Sequence, residues 1–107
     1  MTGLQQTSSL WHSKDAAKAT GGISAIAWNA LGVSIDSRTV ERDDLFIAIS
    51  GPNFDGHNYV HSALENGAAA AVIAQAVEGV GANTPLLKVS DTFAALEDLG
   101  RAGRDRS

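Results

Sequence analysis

Leu45-Phe46-Ile47-Ala48-Ile49 is an unbroken apolar run of strand length, opened by Asp43-Asp44 and closed by Ser50-Gly51-Pro52. A short run bounded by turn residues reads as a strand, and its lack of polar alternation points to burial on both faces. Such a strand belongs inside a sheet with helices packed on it.

The neighbouring stretches fit around it. Val33 and Ile35 alternate with Ser34 and Asp36, the pattern of a short half-buried strand. Val40 to Asp44 is a polar connection. Ser50 to His57 holds two Gly, one Pro, one Asn and one Asp, and reads as a loop. Asn58 to Asn66 reads as a helix, with Tyr59, Val60, Ala63 and Leu64 on one face and Gly67 just past its end. Ala68 to Ala74 is the next strand, Gln75 to Pro85 a loop, and Leu86 to Val89 another strand. Ser90 or Asp91 caps a last helix, whose Phe93, Leu96 and Leu99 form an apolar stripe. Upstream, Ser13 caps a short helix over Lys14 to Thr20, which Gly21-Gly22 ends. Ile23, Ile26 and Trp28 suit a strand or hairpin arm, and Asn29 to Gly32 a turn. Met1 to Ser9 is polar and expected to fray. The fold class is α/β: a small mixed sheet with helices packed on it, one domain over residues 10–107, with at least one parallel pair.

Composition narrows the function. A net charge of −4 argues against a sequence-independent nucleic-acid binder, which needs a basic face. With no cysteine there is no disulfide and no thiolate metal site. No apolar run approaches the ~20 residues of a membrane span.

Two polar loops follow the two strands. In Ser37-Arg38-Thr39, two hydroxyls donate and accept, and Arg38 offers a planar fork suited to phosphate or carboxylate. They stand where α/β folds bind ligands, although a plain polar turn with Arg38 paired to Asp36 or Glu41 fits as well. In Gly51-Pro52-Asn53-Phe54-Asp55-Gly56-His57, Gly51 admits close backbone approach and Asn53 carries an amide that matches a pyrimidine edge. Phe54 offers a stacking face, and Asp55 can cap the following helix. His57 and His61 stand four apart, but no third ligand and no intervening Glu accompany them. His57 reads as a loop or cap residue, His61 as a surface one, and no metal site is assigned. The chain has no G-x-G-x-x-G, no G-x-x-x-x-G-K-[ST] and no G-x-S-x-G. It reads as a binder, and no catalytic residue is assigned.

Val33-Ser34-Ile35-Asp36-Ser37-Arg38-Thr39-Val40, Asp44-Leu45-Phe46-Ile47-Ala48-Ile49-Ser50-Gly51, Phe54-Asp55-Gly56-His57 and Gly67-Ala68-Ala69-Ala70-Ala71-Val72 together closely resemble the N-terminal domain of Mur ligases. The stretch from Pro85 to Leu96 continues the match. The resemblance implies a cytoplasmic, ATP-dependent enzyme of peptidoglycan and cell-wall synthesis. Its N-terminal domain would bind the UDP end of a UDP-N-acetylmuramoyl-peptide. A central domain would use ATP and Mg2+, and a C-terminal domain would bring the incoming amino acid or dipeptide. Those two domains are expected to lie outside this chain, which would then be inactive alone.

Trp11, Gly21-Gly22 and Phe54 to His57 look most like the members that add D-alanyl-D-alanine to UDP-N-acetylmuramoyl-tripeptide. The members that add the third peptide residue are the close alternative. Carried over by motif, the UDP pocket would use Ile35, Ser37, Arg38, Pro52, Asn53 and Phe54, supported by Asp36, Thr39, Gly51, Asp55, Gly56 and His57. Asp43 stands where the family usually has Gly. A different class of function remains open: a protein-docking module presenting Trp11, Trp28 and the Val60 to Leu64 face.

Overall fold

The computed structural model describes residues 11–24, 26–52, 54–75, 77 and 84–106. Met1 to Ser9, expected to fray, lie outside them. The strands are β1 (Trp11–His12), β2 (Ile23–Ser24), β3 (Asn29–Ala30), β4 (Gly32–Ser34), β5 (Asp44–Ile47), β6 (Ser50–Gly51), β7 (Phe54–Asp55), β8 (Ala70–Ile73) and β9 (Leu86–Lys88). The helices are α1 (Ser13–Thr20), α2 (Val60–Glu65) and α3 (Thr92–Arg106), with a 3-10 turn over Gly56–Tyr59 leading into α2.

The main sheet has the order β2-β9-β8-β5-β4. Strands β4, β5, β8 and β9 run parallel in turn, and β2 closes the far side antiparallel to β9. The mixed sheet is therefore as expected. Alternation along β5 divides the core. Leu45 and Ile47 join Trp11, Trp28, Ala70, Val72, Leu87, Ala95 and Leu99 on one face. Phe46 and Ala48 join Val60, Ala63, Ala71 and Ile73 on the other. Leu45, Phe46, Ile47 and Ala48 expose no surface, so β5 is covered on both sides. Burial of a Phe or Leu contributes about 2–3 kcal/mol, which makes β5 the main apolar anchor.

Helix ends follow the local chemistry. The Asp91 carboxylate accepts the amides of Phe93 at 2.8 Å and Ala94 at 3.2 Å, capping α3 as expected. Asp55 caps the 3-10 turn by accepting the His57 amide. Gly21 closes α1 in the left-handed conformation. Ser13 does not cap α1: His12 is the cap residue, and Ser13 is already helical.

Other expectations need correction. Asn29 to Gly32 is not a turn, because Asn29 and Ala30 pair with His12 and Trp11 and Gly32 opens β4. In the stripe of α3, Leu99 is buried and Leu96 packs against the core as expected, joined by Thr92 and Ala95, while Phe93 faces solvent. Tyr59 is exposed and does not share the buried face of Val60 and Ala63. A docking surface made of Trp11, Trp28 and the Val60–Leu64 face is not available, since Trp11, Trp28, Val60 and Ala63 are buried in the core.

Strand β4 is also less buried than its alternation suggested. Register puts Val33 beside Leu45, on the face where α1 and α3 pack over β2, β8 and β9. That cover leaves Leu31 53%, Val33 42% and Ile35 49% exposed.

Asp43 is the one described non-glycine residue with positive φ, at 70°. The position where the resemblance implied Gly is therefore a left-handed one. Two hydrogen bonds hold it there. Its amide donates to the Gly67 carbonyl at 2.8 Å, and its carbonyl accepts from Leu31 at 2.7 Å.

Candidate functional site

Because β4 and β5 are parallel neighbours, the segments after them leave the same edge of the sheet. After β4 the chain turns at once. The Asp36 carbonyl accepts the Thr39 amide at 3.1 Å and the Thr39 hydroxyl at 3.3 Å. The Asp36 carboxylate accepts the Arg38 amide at 2.9 Å, Nε at 3.1 Å and Nη2 at 2.8 Å. Of the two partners open to Arg38, the structure selects Asp36. The Arg38 side chain, then its amide, holds the Asp36 carboxyl at about 2, below the usual 3.8. The same pairing pushes Arg38 up. The Arg38 side chain stays 87% exposed, so its outer donors face solvent.

This turn forms one wall of an open cleft of about 830 Å³. Ile35, Asp36, Ser37 and Arg38 line that wall, and Tyr59, Ser62 and Asn66 line the opposite one. The spacing of Tyr59, Ser62 and Asn66 is i, i+3, i+7, which puts three polar side chains on one side of α2. Ser37 lines the cleft although it is only 7% exposed. Its carbonyl accepts Asn66 Nδ2 at 2.8 Å, a bond between residues 29 apart in sequence.

The second loop is more ordered than its turn residues suggested. Ser50 pairs with Asp55 and Gly51 with Phe54, so β6 and β7 run antiparallel as a hairpin. Gly51 and Pro52 are exposed and do not line the cleft. Asn53 and the Phe54 side chain lie outside the described residues. The cleft thus gathers Ile35, Asp36, Ser37 and Arg38, but not Pro52.

Asp55, Gly56 and His57 fasten that hairpin to the sheet. The Asp55 carboxylate accepts the His57 amide at 3.0 Å, the His57 ring at 2.8 Å, the Ser50 hydroxyl at 2.8 Å and Gln75 Nε2 at 3.0 Å. The His57 amide, followed by the ring and the Ser50 hydroxyl, holds the Asp55 carboxyl at about 2. The Gly56 amide donates to the Ile49 carbonyl at 2.8 Å. A Cβ at Gly56 would lie 2.7 Å from the Ile49 nitrogen, so a side chain is excluded by backbone.

His57 is 6% exposed, and its Nε2 accepts the Ala74 amide at 2.9 Å. An amide can only donate, so the ring proton sits on Nδ1, facing Asp55. Ser50, His57 and Asp55 are the residue types of a nucleophilic triad, but the geometry is wrong for one. Ser50 and Asp55 both approach Nδ1, and Nε2, the nitrogen that would activate a hydroxyl, is occupied by backbone. His57 is therefore a buried structural tie rather than a loop or cap residue. His61 is exposed and lies 3.9 Å from Glu65. Among the described residues, no three His, Cys, Asp or Glu converge to hold a metal ion.

Tyr59, Ser62 and Asn66 are not singled out by the apolar pattern of the sequence, in which Tyr59 stands at helical spacing with Val60, Ala63 and Leu64. The polar i, i+3, i+7 spacing was the available signal.

The fold and the match along the chain together define its class, a domain of a ligase family. The chain belongs to the Mur ligase family: residues 30–104 match the family described as "Mur ligase family, catalytic domain". Its relatives include the UDP-N-acetylmuramoyl-tripeptide–D-alanyl-D-alanine ligase of Rickettsia prowazekii, 33% identical over 98 residues, which are 92% of this chain and 21% of that protein. The ligase of the same name from Bacillus subtilis is 39% identical over 71 residues, 66% of this chain and 16% of that protein. A UDP-N-acetylmuramoyl-L-alanyl-D-glutamate–2,6-diaminopimelate ligase of Clostridium acetobutylicum is 38% identical over 71 residues, 66% and 15% of the two chains. The crystal structure of MurF from Acinetobacter baumannii superimposes with a TM-score of 0.72 at 31% identity, covering 89% of this chain and 21% of that one. The chain thus spans about a fifth of the length of these relatives.

Proposed function

We propose that this chain holds the uridine diphosphate end of UDP-N-acetylmuramoyl-tripeptide within a ligase that adds D-alanyl-D-alanine to it. The observation that carries this reading is the cleft between the Ile35–Arg38 turn and α2. It combines an apolar side chain, a nearly buried hydroxyl, an exposed guanidinium and a polar helix face. Those are the groups that a nucleoside diphosphate needs: apolar contact for a ring, donors for its polar edge and ribose, and a cation for phosphate. Pro52, Asn53 and Phe54 are carried into this reading by the motif alone, since Pro52 lies off the lining of the cleft and Asn53 and the Phe54 side chain lie outside the described residues.

In the whole enzyme the tripeptide's terminal carboxylate would be phosphorylated and the acyl phosphate then attacked by the dipeptide amine. ATP and Mg2+ would supply the phosphoryl group and its charge stabilisation. The residues of this chain do not fit that role, since they hold neither a phosphate-loop motif nor a converging acidic cluster among the described residues. ATP and Mg2+ therefore belong to the larger part of a full-length ligase, and the contribution of this chain is to bind and orient. Such an enzyme works in the cytoplasm, where its nucleotide substrates are made. No described helix is long and apolar enough to cross a membrane. The matching diaminopimelate-adding relatives favour one alternative, the same domain of the ligase that adds the third residue.

The test is an amide NMR titration of the chain with UDP, then with UDP-N-acetylmuramoyl-tripeptide. Shifts should concentrate at 35–39 and at the facing side of α2. Ser37→Ala should weaken binding by about 1 kcal/mol through loss of a nearly buried hydrogen bond. No response of the unaltered chain at millimolar ligand rejects the reading. The pure chain should show no ligase or ATPase turnover.

A further inference from the structure

We infer that Asn66 is a positioning residue for ligand binding, setting the Ser37 peptide through its side-chain amide. The inference rests on the reading of the cleft as the UDP site. Asn66 closes α2, and its Nδ2 donates to the Ser37 carbonyl at 2.8 Å. That carbonyl belongs to the peptide whose nitrogen is Arg38, and the Arg38 amide is held at 2.9 Å by the Asp36 carboxylate. The Ser37–Arg38 peptide is thus gripped at both ends, by Asn66 on its oxygen and by Asp36 on its nitrogen.

Fixing this plane fixes two outcomes. The Ser37 side chain remains against the cleft, and the Arg38 fork stays folded onto Asp36 with its outer edge free. Ser37 is only 7% exposed, yet it lines the cleft. A hydroxyl both donates and accepts, so a Ser at the lining can bond a ligand group of either kind.

The segment around Asn66 is itself rigid. The Asn66 amide donates to Ser62 at 2.9 Å and the Gly67 carbonyl accepts Asp43 at 2.8 Å. The Ala69 amide donates to the Asp44 carbonyl at 2.7 Å. The 66–69 segment therefore ties the connection between β4 and β5 at its start and at its end. Only the Asn66 tie is made by a side chain, so it can be removed without disturbing the others.

Three variants of the chain test this, with UDP as the probe: Asn66→Ala, Asn66→Asp and Asn66→Gln. Alanine and aspartate both remove the donor, and aspartate also keeps the shape. Each should raise the Kd for UDP about five- to tenfold, the worth of one lost positioning bond. The Arg38 amide resonance should shift in the free protein, and Tm should stay within about 3 °C, because the Asn66 side chain lies at the surface. Glutamine retains an amide donor and should recover most of the affinity. An unchanged Kd in Asn66→Ala overturns the inference. So does equal loss in all three variants with a large fall in Tm, which marks a general structural role. If the unaltered chain does not respond to UDP at all, the reading of the cleft fails first and this inference with it.

Discussion

The ring of His57 accepts the main-chain amide of Ala74 at 2.9 Å, joining the start of the 3-10 turn to the end of β8. The other ring nitrogen is bonded to Asp55, so one side chain ties the hairpin to the central sheet. His57→Phe keeps the ring volume but leaves the Ala74 amide without its acceptor. It should destabilise the chain by about 2 kcal/mol, read as a lower urea midpoint. His57→Gln retains an acceptor and should lose less. Equal losses would show that ring volume, and not the bond, is what matters.

Acid should weaken the fold through Asp36 and Asp55. Both carboxyls are held at about 2, below the usual 3.8. A depressed carboxylate contributes stability above the unfolded value and loses it as pH falls through the folded value. Stability should therefore decline between about pH 4 and pH 2, with little change near neutrality. Carboxyl-carbon NMR titration should find both midpoints well below free Asp. Arg38→Ala should return Asp36 toward 3.8 with little change in stability, because the pair is exposed and screened by solvent.

Asp43 occupies a left-handed conformation that costs a residue with a Cβ about 1–2 kcal/mol, less for the Asp type, which tolerates this region better. Asp43→Gly removes that strain but adds freedom to the unfolded chain. The balance should favour glycine by about 0.5 kcal/mol, seen as a slightly higher Tm. A β-branched residue there should cost more than about 1 kcal/mol. A less stable glycine variant would mean that the Asp43 side chain contributes more than its backbone strain costs.

Much of the scaffold was legible because it rests on local patterns. The apolar run at β5 announced a strand buried on both faces, and Asp91 and Asp55 announced the helix starts they cap. The edges of patterns misled. Phe93 and Tyr59 are apolar or aromatic at helical spacing, yet each lies one position off the face its helix buries. Leu31, Val33 and Ile35 alternate correctly, but alternation does not reveal that α1 and α3 stop short of β4. For the site, the Asp36-Ser37-Arg38 turn could be read from residue types. The polar spacing of Tyr59, Ser62 and Asn66 marked the opposite wall, but not that it faces this turn, because Asn66 meets Ser37 from 29 positions further along the chain. His57 was undervalued for the same reason: its partner Ala74 is distant in sequence.

The bare outer strand has a practical consequence. Leu31, Val33 and Ile35 expose apolar surface, and β4 ends the sheet order among the described residues. An open sheet margin of this kind is a template on which a second copy can add its own strand. Crowded samples should therefore oligomerise, masking the Ile35 side of the cleft and competing with any nucleotide. A titration run dilute reports ligand affinity; the same titration run concentrated reports solubility.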